Sequence, residues 1–305
     1  MQLLNIVLPI FLIILAGFVL RRINILKSAW VHALNSYVYY IALPALVLLS
    51  FWNINWLDSE VQKILVFNIV ILIILSILLL IGLKFIPISQ KDRAAVFLTI
   101  MVGNTIYMGF PLIGKTVAAE HYKLVVAAAT VHLVLGMAFS ILTVEFLVQK
   151  SKNWKKYAAD FFINPLVLAL FAGIGLSLLN ASGPLAEFFK SPLSALSVTA
   201  SPVALFALGG FLHGRFMSGH LKTAGLASAF KLLALPLLIW LGGIIFKIKQ
   251  PALDISVLVS AMPSAVTCFV ISERYKLDEK LVANAILLST AASVITISSL
   301  LTAAI

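Results

Sequence analysis

The stretch 101–114, MVGNTIYMGFPLIG, lies within an apolar run of the chain and yet contains residues that interrupt a helix. It has three glycines and one proline, and Asn104 and Thr105 stand side by side within it. In lipid, an unpaired backbone N–H or C=O costs several kcal/mol, so irregular backbone persists only where protein or a water-filled cavity satisfies it. The stretch therefore predicts a broken membrane-spanning helix rather than a regular one.

The composition is typical of a chain that lies mostly within a bilayer. Of the 305 residues, 62% are hydrophobic and 11% are charged, and the mean hydropathy is +1.11. A spanning helix needs about 20 mainly apolar residues, and the apolar runs predict an all-α polytopic membrane protein with ten spans. The predicted spans are 3–20, 30–52, 61–83, 93–113, 123–147, 161–180, 194–213, 223–246, 253–272 and 281–304.

The basic residues are distributed unevenly among the predicted loops. Fifteen of the 22 Lys and Arg residues fall in the loops that follow spans 1, 3, 5, 7 and 9, whereas six fall in the opposite loops. Cytoplasmic loops carry an excess of Lys and Arg, so we expect a multi-pass membrane protein with both termini outside. The net charge of +11 is therefore explained by membrane topology. We expect the lipid bilayer to be a partner of the protein, and we expect no nucleic-acid partner.

The two halves of the chain match each other at an offset of about 157 residues, which predicts an internal repeat. Five spans per repeat is an odd number, so the second half would enter the membrane in the opposite orientation, as in many secondary transporters. The predicted units are a first repeat at 1–148, a cytoplasmic linker at 149–160 and a second, inverted repeat at 161–305. The matched positions are Pro9 with Pro165, Pro44 with Pro202, Lys91 with Lys249, and 122–129 with 279–285.

The ninth span has its own interruption at 260–272, SAMPSAVTCFVIS, in which Ser264 and Thr267 follow Pro263. A lone proline would indicate only a kink, but breaks in equivalent spans of inverted repeats predict that helices 4 and 9 cross near the membrane midplane. Half-helix N-termini at such a crossing carry a partial positive charge and favour an anion. Asn104 and Thr105 would add an amide and a hydroxyl donor.

The two interrupted stretches also resemble one known family. NTIYMGFPL at 104–112 and AMPSAVTCFVISERYKLDEKLVANAILLST at 261–290 are similar to the fourth-helix and ninth-helix signatures of the auxin efflux carriers, and the absence of a long central loop indicates a compact bacterial-type member. The resemblance implies a bile-acid-transporter-like fold with a scaffold from helices 1, 2, 6 and 7. Helices 3–5 and 8–10 would form a mobile transport domain that works as an elevator.

The resemblance also implies an organic-anion substrate at the crossover and a possible homodimer. Bacterial relatives are associated with malate and malonate, and His132 stands where plant members have a glutamine, which leaves auxin itself open. The predicted substrate-binding residues are Asn104, Thr105, Tyr107, Gly109, Pro111, His132, Pro263, Ser264 and Thr267.

Ionisable side chains within spans are functional candidates because they are costly in lipid. His132 could donate to a carboxylate, take up a proton, or simply be a packed histidine. Lys231 could attract an anion, but we expect it to stabilise the transport domain. Glu145, near the end of the fifth span, is expected to have a structural or coupling role.

Other functions are less compatible with the sequence. A cation/proton antiporter needs a carboxylate near the midplane, and the eleven acidic residues all lie outside the central parts of the predicted spans; a sodium- or proton-coupled carrier of the same fold stays open. An intramembrane serine enzyme would need Ser264, Ser289 and His132 to meet. The sole cysteine, Cys268, excludes an intrachain disulfide, and we expect no catalytic residue, metal ion or cofactor.

Overall fold

The structure is a computed structural model that describes residues 2–54, 56–114, 116–149, 163–213 and 219–304. Apart from Gln149, the predicted linker lies outside these residues. The described part of the chain is helical. Its helices are α1 (Gln2–Arg22), α2 (Ser28–Trp52), α3 (Ser59–Lys84), α4 (Gln90–Met101), α5 (Phe110–Ile113), α6 (Ala119–Val148), α7 (Pro165–Leu178), α8 (Pro184–Leu212), α9 (Leu221–Ile245), α10 (Ala252–Ser260), α11 (Thr267–Arg274) and α12 (Glu279–Ala304).

Six of these helices are long and apolar enough to cross a bilayer among the residues described: α2, α3, α6, α8, α9 and α12. They support a polytopic membrane protein and coincide with predicted spans 2, 3, 5, 7, 8 and 10. Predicted spans 4 and 9 are each divided into two short helices, so neither forms one long helix. Helix α7 is apolar but has 14 residues, and the start of its predicted span lies outside the described part.

Prolines shape two of the long helices. A proline has no N–H to donate and its ring collides with the preceding turn, and a local π turn relieves both problems. Helix α2 widens into a π turn at Val38–Ala42 just before Pro44, and α9 does the same at Phe230–Ala234 just before Pro236. The second π turn contains Lys231, so Pro236 helps determine the direction of that side chain.

Helices α1, α2, α7 and α8 pack on one another. Helix α1 lies along the second half of α8, while α2 packs against α7 and α8. The approach of α1 to α8 is very close, because a Cβ atom added at Gly17 would collide with the Phe206 carbonyl oxygen and one added at Gly209 would collide with that of Ile14. Small residues allow this kind of backbone contact between membrane helices.

The remaining long helices pack mainly around α6 and α4. Helix α6 contacts α3, α4 and α10, and α12 contacts α4 and the first half of α9. Side chains in the middle of this group are almost fully buried, including Phe97 of α4 and Met137 of α6. The group surrounds the two interruptions of the chain and fixes their positions.

Candidate substrate site at the crossing of the two breaks

The interruption between α4 and α5, residues 102–109, is called the first break, and that between α10 and α11, residues 261–266, the second break. The two breaks run antiparallel and form a bridge between Gly103 and Ser264. The Asn104 N–H donates to the Pro263 carbonyl at 2.7 Å, and the Ala265 N–H donates to the Val102 carbonyl at 3.0 Å. Each break thus satisfies backbone groups of the other, which is what irregular backbone at membrane depth requires.

The first break supplies a buried amide. Asn104 is 6% exposed, and no described residue forms a hydrogen bond with its side chain. Thr105 is fully buried, and its hydroxyl donates to the Ala129 carbonyl of α6 at 3.1 Å, so it ties the break to α6. The Gly109 N–H donates to the Asn104 carbonyl at 3.1 Å. Tyr107 and Pro111 lie in the following turn and in α5, and their side chains are outside the described part.

The second break uses its polar groups mainly for structure. The Ser264 hydroxyl donates to the Thr99 carbonyl at 2.7 Å, and its N–H donates to Ser289 Oγ at 3.1 Å. Thr267 is buried at the start of α11, and its hydroxyl has no hydrogen-bond partner among the described residues. Of the two predicted hydroxyl groups in this segment, those of Ser264 and Thr267, the Thr267 hydroxyl is the one without a partner in the described part of the chain.

The helices that follow the two breaks differ in the helix dipole that they can direct at the crossing. Helix α11 has eight residues, whereas α5 has four, and a four-residue helix has almost no macrodipole. Moreover, the Asn104 and Ala265 N–H groups are donated across the crossing and are not free for a ligand. A positive charge at the crossing would therefore have to come from a side chain.

Lys231 places a basic group directly at the crossing. Its side chain is 0% exposed, and its Nζ atom has no hydrogen-bond partner among the described residues. A Cβ atom added at Gly103 would lie 3.0 Å from Nζ and 3.4 Å from Cε, so the amine sits directly against the first break. The sequence indicated an ionisable group in this helix, but not its contact with the crossing.

His132 belongs to a separate buried network beside the crossing. Its Nε2 atom lies 2.8 Å from Asn68 Oδ1, and Asn68 Nδ2 donates to the Ile64 carbonyl and to Ser256 Oγ at 2.8 and 2.9 Å. The network links α6, α3 and α10. Sequence reasoning identified His132 but missed Asn68 and Ser256; an asparagine in the apolar run of α3 was the available signal.

Glu145 lies away from the crossing. It is buried near the end of α6 and lines a cavity of about 550 Å³ with Tyr39, Asn164, Arg274 and Tyr275. Asn164 Nδ2 donates to the hydroxyls of both tyrosines at 2.9 and 3.0 Å. This cavity lies where α2, α6, α7 and α11 meet, and the predicted structural or coupling role of Glu145 stays a prediction.

Two alternative chemistries find little support in the geometry. Ser264 and Ser289 bond to backbone groups, and the described ring contact of His132 is to Asn68, so the three residues do not form a nucleophile–base arrangement. A possible metal-ligand cluster occurs elsewhere: one ligand atom each of Asp92, His220 and Asp278 lie within 4.8 Å of one another. Asp278 also caps α12 by accepting from the Leu281 N–H, which is a sufficient structural reason for its position.

The paired breaks, the buried amide and the unpaired amine define a polytopic membrane protein with a polar site inside its helical bundle. A family described as Membrane transport protein matches the chain at residues 3–161 and 153–301. The chain belongs to this family, the auxin efflux carriers, as the motifs at 104–112 and 261–290 predicted.

Three relatives have informative names. An uncharacterized transporter of Methanocaldococcus jannaschii is 24% identical over 96% of both chains. A protein of Rhizobium meliloti with the provisional name malonate transporter is 25% identical over 97% of this chain and 94% of its own. The lysosomal cholesterol signaling protein of Mus musculus is 27% identical over 75% of this chain, which corresponds to 28% of the mouse protein. The family and the first two names identify a transporter rather than an enzyme.

Proposed function

We propose that the protein is a secondary transporter of small organic anions, with malonate-like or malate-like carboxylates as the substrate class. The observation that carries the proposal is the crossing itself. There the buried amide of Asn104 lies in the same break as Gly103, against which the Lys231 amine is packed, and neither group has a hydrogen-bond partner among the described residues. A carboxylate can accept hydrogen bonds from an amide and from an amine at once.

The substrate class also has support from outside the geometry. The Rhizobium meliloti relative is named for malonate, a small dicarboxylate, and it matches almost the full length of this chain. Among the described residues, the buried ionisable side chains next to the crossing include the lysine but no carboxylate. This charge distribution suits an anion better than a cation.

The proposed architecture is ten spans in two inverted five-helix repeats with a bile-acid-transporter-like fold. The antiparallel bridge between the two breaks supports it, because inverted repeats bring equivalent segments together in opposite directions. The packing supports a scaffold of α1, α2, α7 and α8 and a transport domain of the other helices. In this proposal the transport domain moves as an elevator, the protein is a homodimer in the plasma membrane, and its basic loops face the cytoplasm.

Uptake of radiolabelled malonate into proteoliposomes tests the function. We expect saturable uptake by the wild type and a loss of about 10–100-fold in Asn104→Ala, the effect of losing one hydrogen bond to a charged ligand. Ser140→Ala is the matched control, because it removes a buried hydroxyl that bonds only within α6, and it should keep its flux. The absence of saturable uptake for a panel of C3–C6 dicarboxylates and aromatic carboxylates would overturn the proposal.

A further inference from the structure

We propose that Lys231 is the proton-binding counter-ion of the transported carboxylate, so that each bound anion is accompanied by one proton on Nζ. This inference rests on the proposed function and adds the coupling ion to it. It gives the amine at the crossing a direct role in transport instead of a purely structural one.

The first support is the isolation of the amine. Lys231 is completely buried, and Nζ lacks both a hydrogen-bond acceptor and an ion-pair partner within the described part of the chain. An unpaired ammonium in a protein interior costs several kcal/mol, even after relaxation of its surroundings. That cost is avoided when the amine is neutral, or it is offset when an anion pairs with the ammonium.

The second support is the position of the amine at the crossing. The space beside the Gly103 Cα is occupied by Nζ and Cε of Lys231, at 3.0 and 3.4 Å from where a Cβ would stand. Asn104 follows Gly103 directly, so the amine of α9 lies against the same short stretch of the first break that carries the amide. A lysine that merely filled space in the bundle would not need a polar end at this point.

The charged surroundings of Lys231 are simple. Its π turn packs against α4 and α12, whose charged residues lie in their first turns: Lys91, Asp92, Arg93, Glu279 and Lys280. The titratable side chains that interact electrostatically with the amine are His132 of α6 and Cys268 of α11. Neither is a carboxylate, so among these groups the described structure offers no counter-ion and a bound anion would supply it.

The proton balance follows from this arrangement. On the loading side the neutral amine takes one proton from water, forms an N–H bond and pairs as an ammonium with one carboxylate of the substrate. On the release side the anion leaves, and the ammonium returns that proton to water. A monoanion would then move without net charge, and a dianion would move with one net negative charge.

The experiment measures proton movement together with anion flux. Proteoliposomes that contain a trapped pH-sensitive dye receive external malonate, and we expect internal acidification by the wild type with about one proton per malonate. Uptake should also rise when the external pH is lowered from about 8 to 6. Lys231→Met should lose at least about 10-fold in uptake and lose the acidification, whereas Lys222→Met, exposed on the same helix, should keep both.

The possible results separate this inference from the proposed function. Saturable malonate uptake by the wild type without acidification overturns the proton role of Lys231 and leaves the transporter proposal standing. Uptake of no carboxylate overturns both. Acidification that persists in Lys231→Met also overturns the inference. If Lys231→Met does not fold, the acidification measured with the wild type still tests the proton role of Lys231. Thermal unfolding of each purified variant shows whether it is folded.

Discussion

The two breaks run antiparallel and exchange backbone hydrogen bonds, yet their side chains make different contacts. The first break holds Asn104, whose amide is unused within the described structure, and it borders the Lys231 amine. In the second break, both the hydroxyl and the N–H of Ser264 are bonded within the protein. The backbone roles are therefore shared, while in our proposal the amide and the amine that bind the ligand lie at the first break.

This difference has a physical reason. A crossing inside a membrane needs two interrupted helices, because each must satisfy the other's free backbone groups. A small anion, however, needs only one set of donors. The second break can therefore have a structural role, in which its polar side chains bond to the helices that hold the first break in place.

Among changes at the glycines of the first break, the largest effect is expected from Gly103→Ala. A methyl group there would meet Lys231 Nζ at 3.0 Å and push the amine away from the break, whereas the same change at Gly109 meets Met262 Cγ at 3.3 Å, in a flexible side chain. We expect malonate uptake to fall about tenfold in Gly103→Ala, equivalent to about 1.4 kcal/mol. Gly109→Ala should stay within about threefold of the wild type.

Equal losses in these two glycine variants would show that general crowding of the crossing, and not displacement of the amine, limits transport. Thermal unfolding should be measured for both proteins. A large drop in stability for Gly103→Ala alone would assign the effect to folding.

A smaller effect, of a different kind, is expected from Ser264→Ala. The change removes the hydrogen bond to the Thr99 carbonyl at 2.7 Å, which is worth about 1 kcal/mol of stability. Uptake should remain within about threefold of the wild type, while the unfolding temperature falls. Asn104→Ala should show the reverse pattern, with little change in stability and a large loss of uptake. A Ser264 variant as inactive as the Asn104 variant would contradict the division of roles.

The sequence was sufficient to predict the breaks but not the function of each residue in them. Glycine, proline and polar residues inside apolar runs are local signals, and so the crossing could be located from 101–114 and 260–272. The contact between Lys231 and Gly103 could not be predicted, because it depends on how the π turn before Pro236 directs the lysine. The sequence likewise gave no means to foresee that Thr105 and Ser264 donate to backbone carbonyls.

The same limit applies to the His132 network. A histidine in an apolar helix is visible in the sequence, but its partner Asn68 is 64 residues away and lies on another helix.

The length of α5 is a further example. The prediction of two equal half-helix ends assumed regular helices after both breaks, and the π turn at Thr105–Gly109 leaves only four residues for α5.

The segments that follow the two breaks are also held differently. After the second break, the last turn of α11 contains Glu273, whose carboxylate is hydrogen-bonded to His32 and Asn35 of α2. After the first break, the chain enters α6, where Lys123 Nζ lies 2.9 Å from Asp58 and 3.0 Å from Glu60. Asp58 also caps α3 by accepting from the Glu60 and Val61 N–H groups. The contact between Lys123 and Asp58, after the first break, stays within the proposed transport domain. The contact between Glu273 and α2, after the second break, reaches the proposed scaffold.

The smallest expected effect concerns the ion pair at Asp58. The hydrogen bond from Lys123, with those from the backbone, holds the pKa of the Asp58 carboxyl below its usual value. A lowered pKa in the folded state means that the stabilisation is fully present above the unfolded pKa of about 4 and is lost as the pH falls through the folded pKa. Asp58→Asn should therefore lower the unfolding temperature slightly at pH 7 and hardly at all in strong acid.

Thermal unfolding of wild type and Asp58→Asn across the acid range checks this, with Glu187→Gln as the control. Glu187 pairs with Lys190 on the surface of α8 at 3.7 Å, far from either break, and its removal should leave the acid response unchanged. Malonate uptake at neutral pH should be the same in all three proteins, because the Asp58 pair holds α3 to α6 without touching the crossing. A loss of uptake in Asp58→Asn alone would show that the connection after the first break governs movement as well as stability.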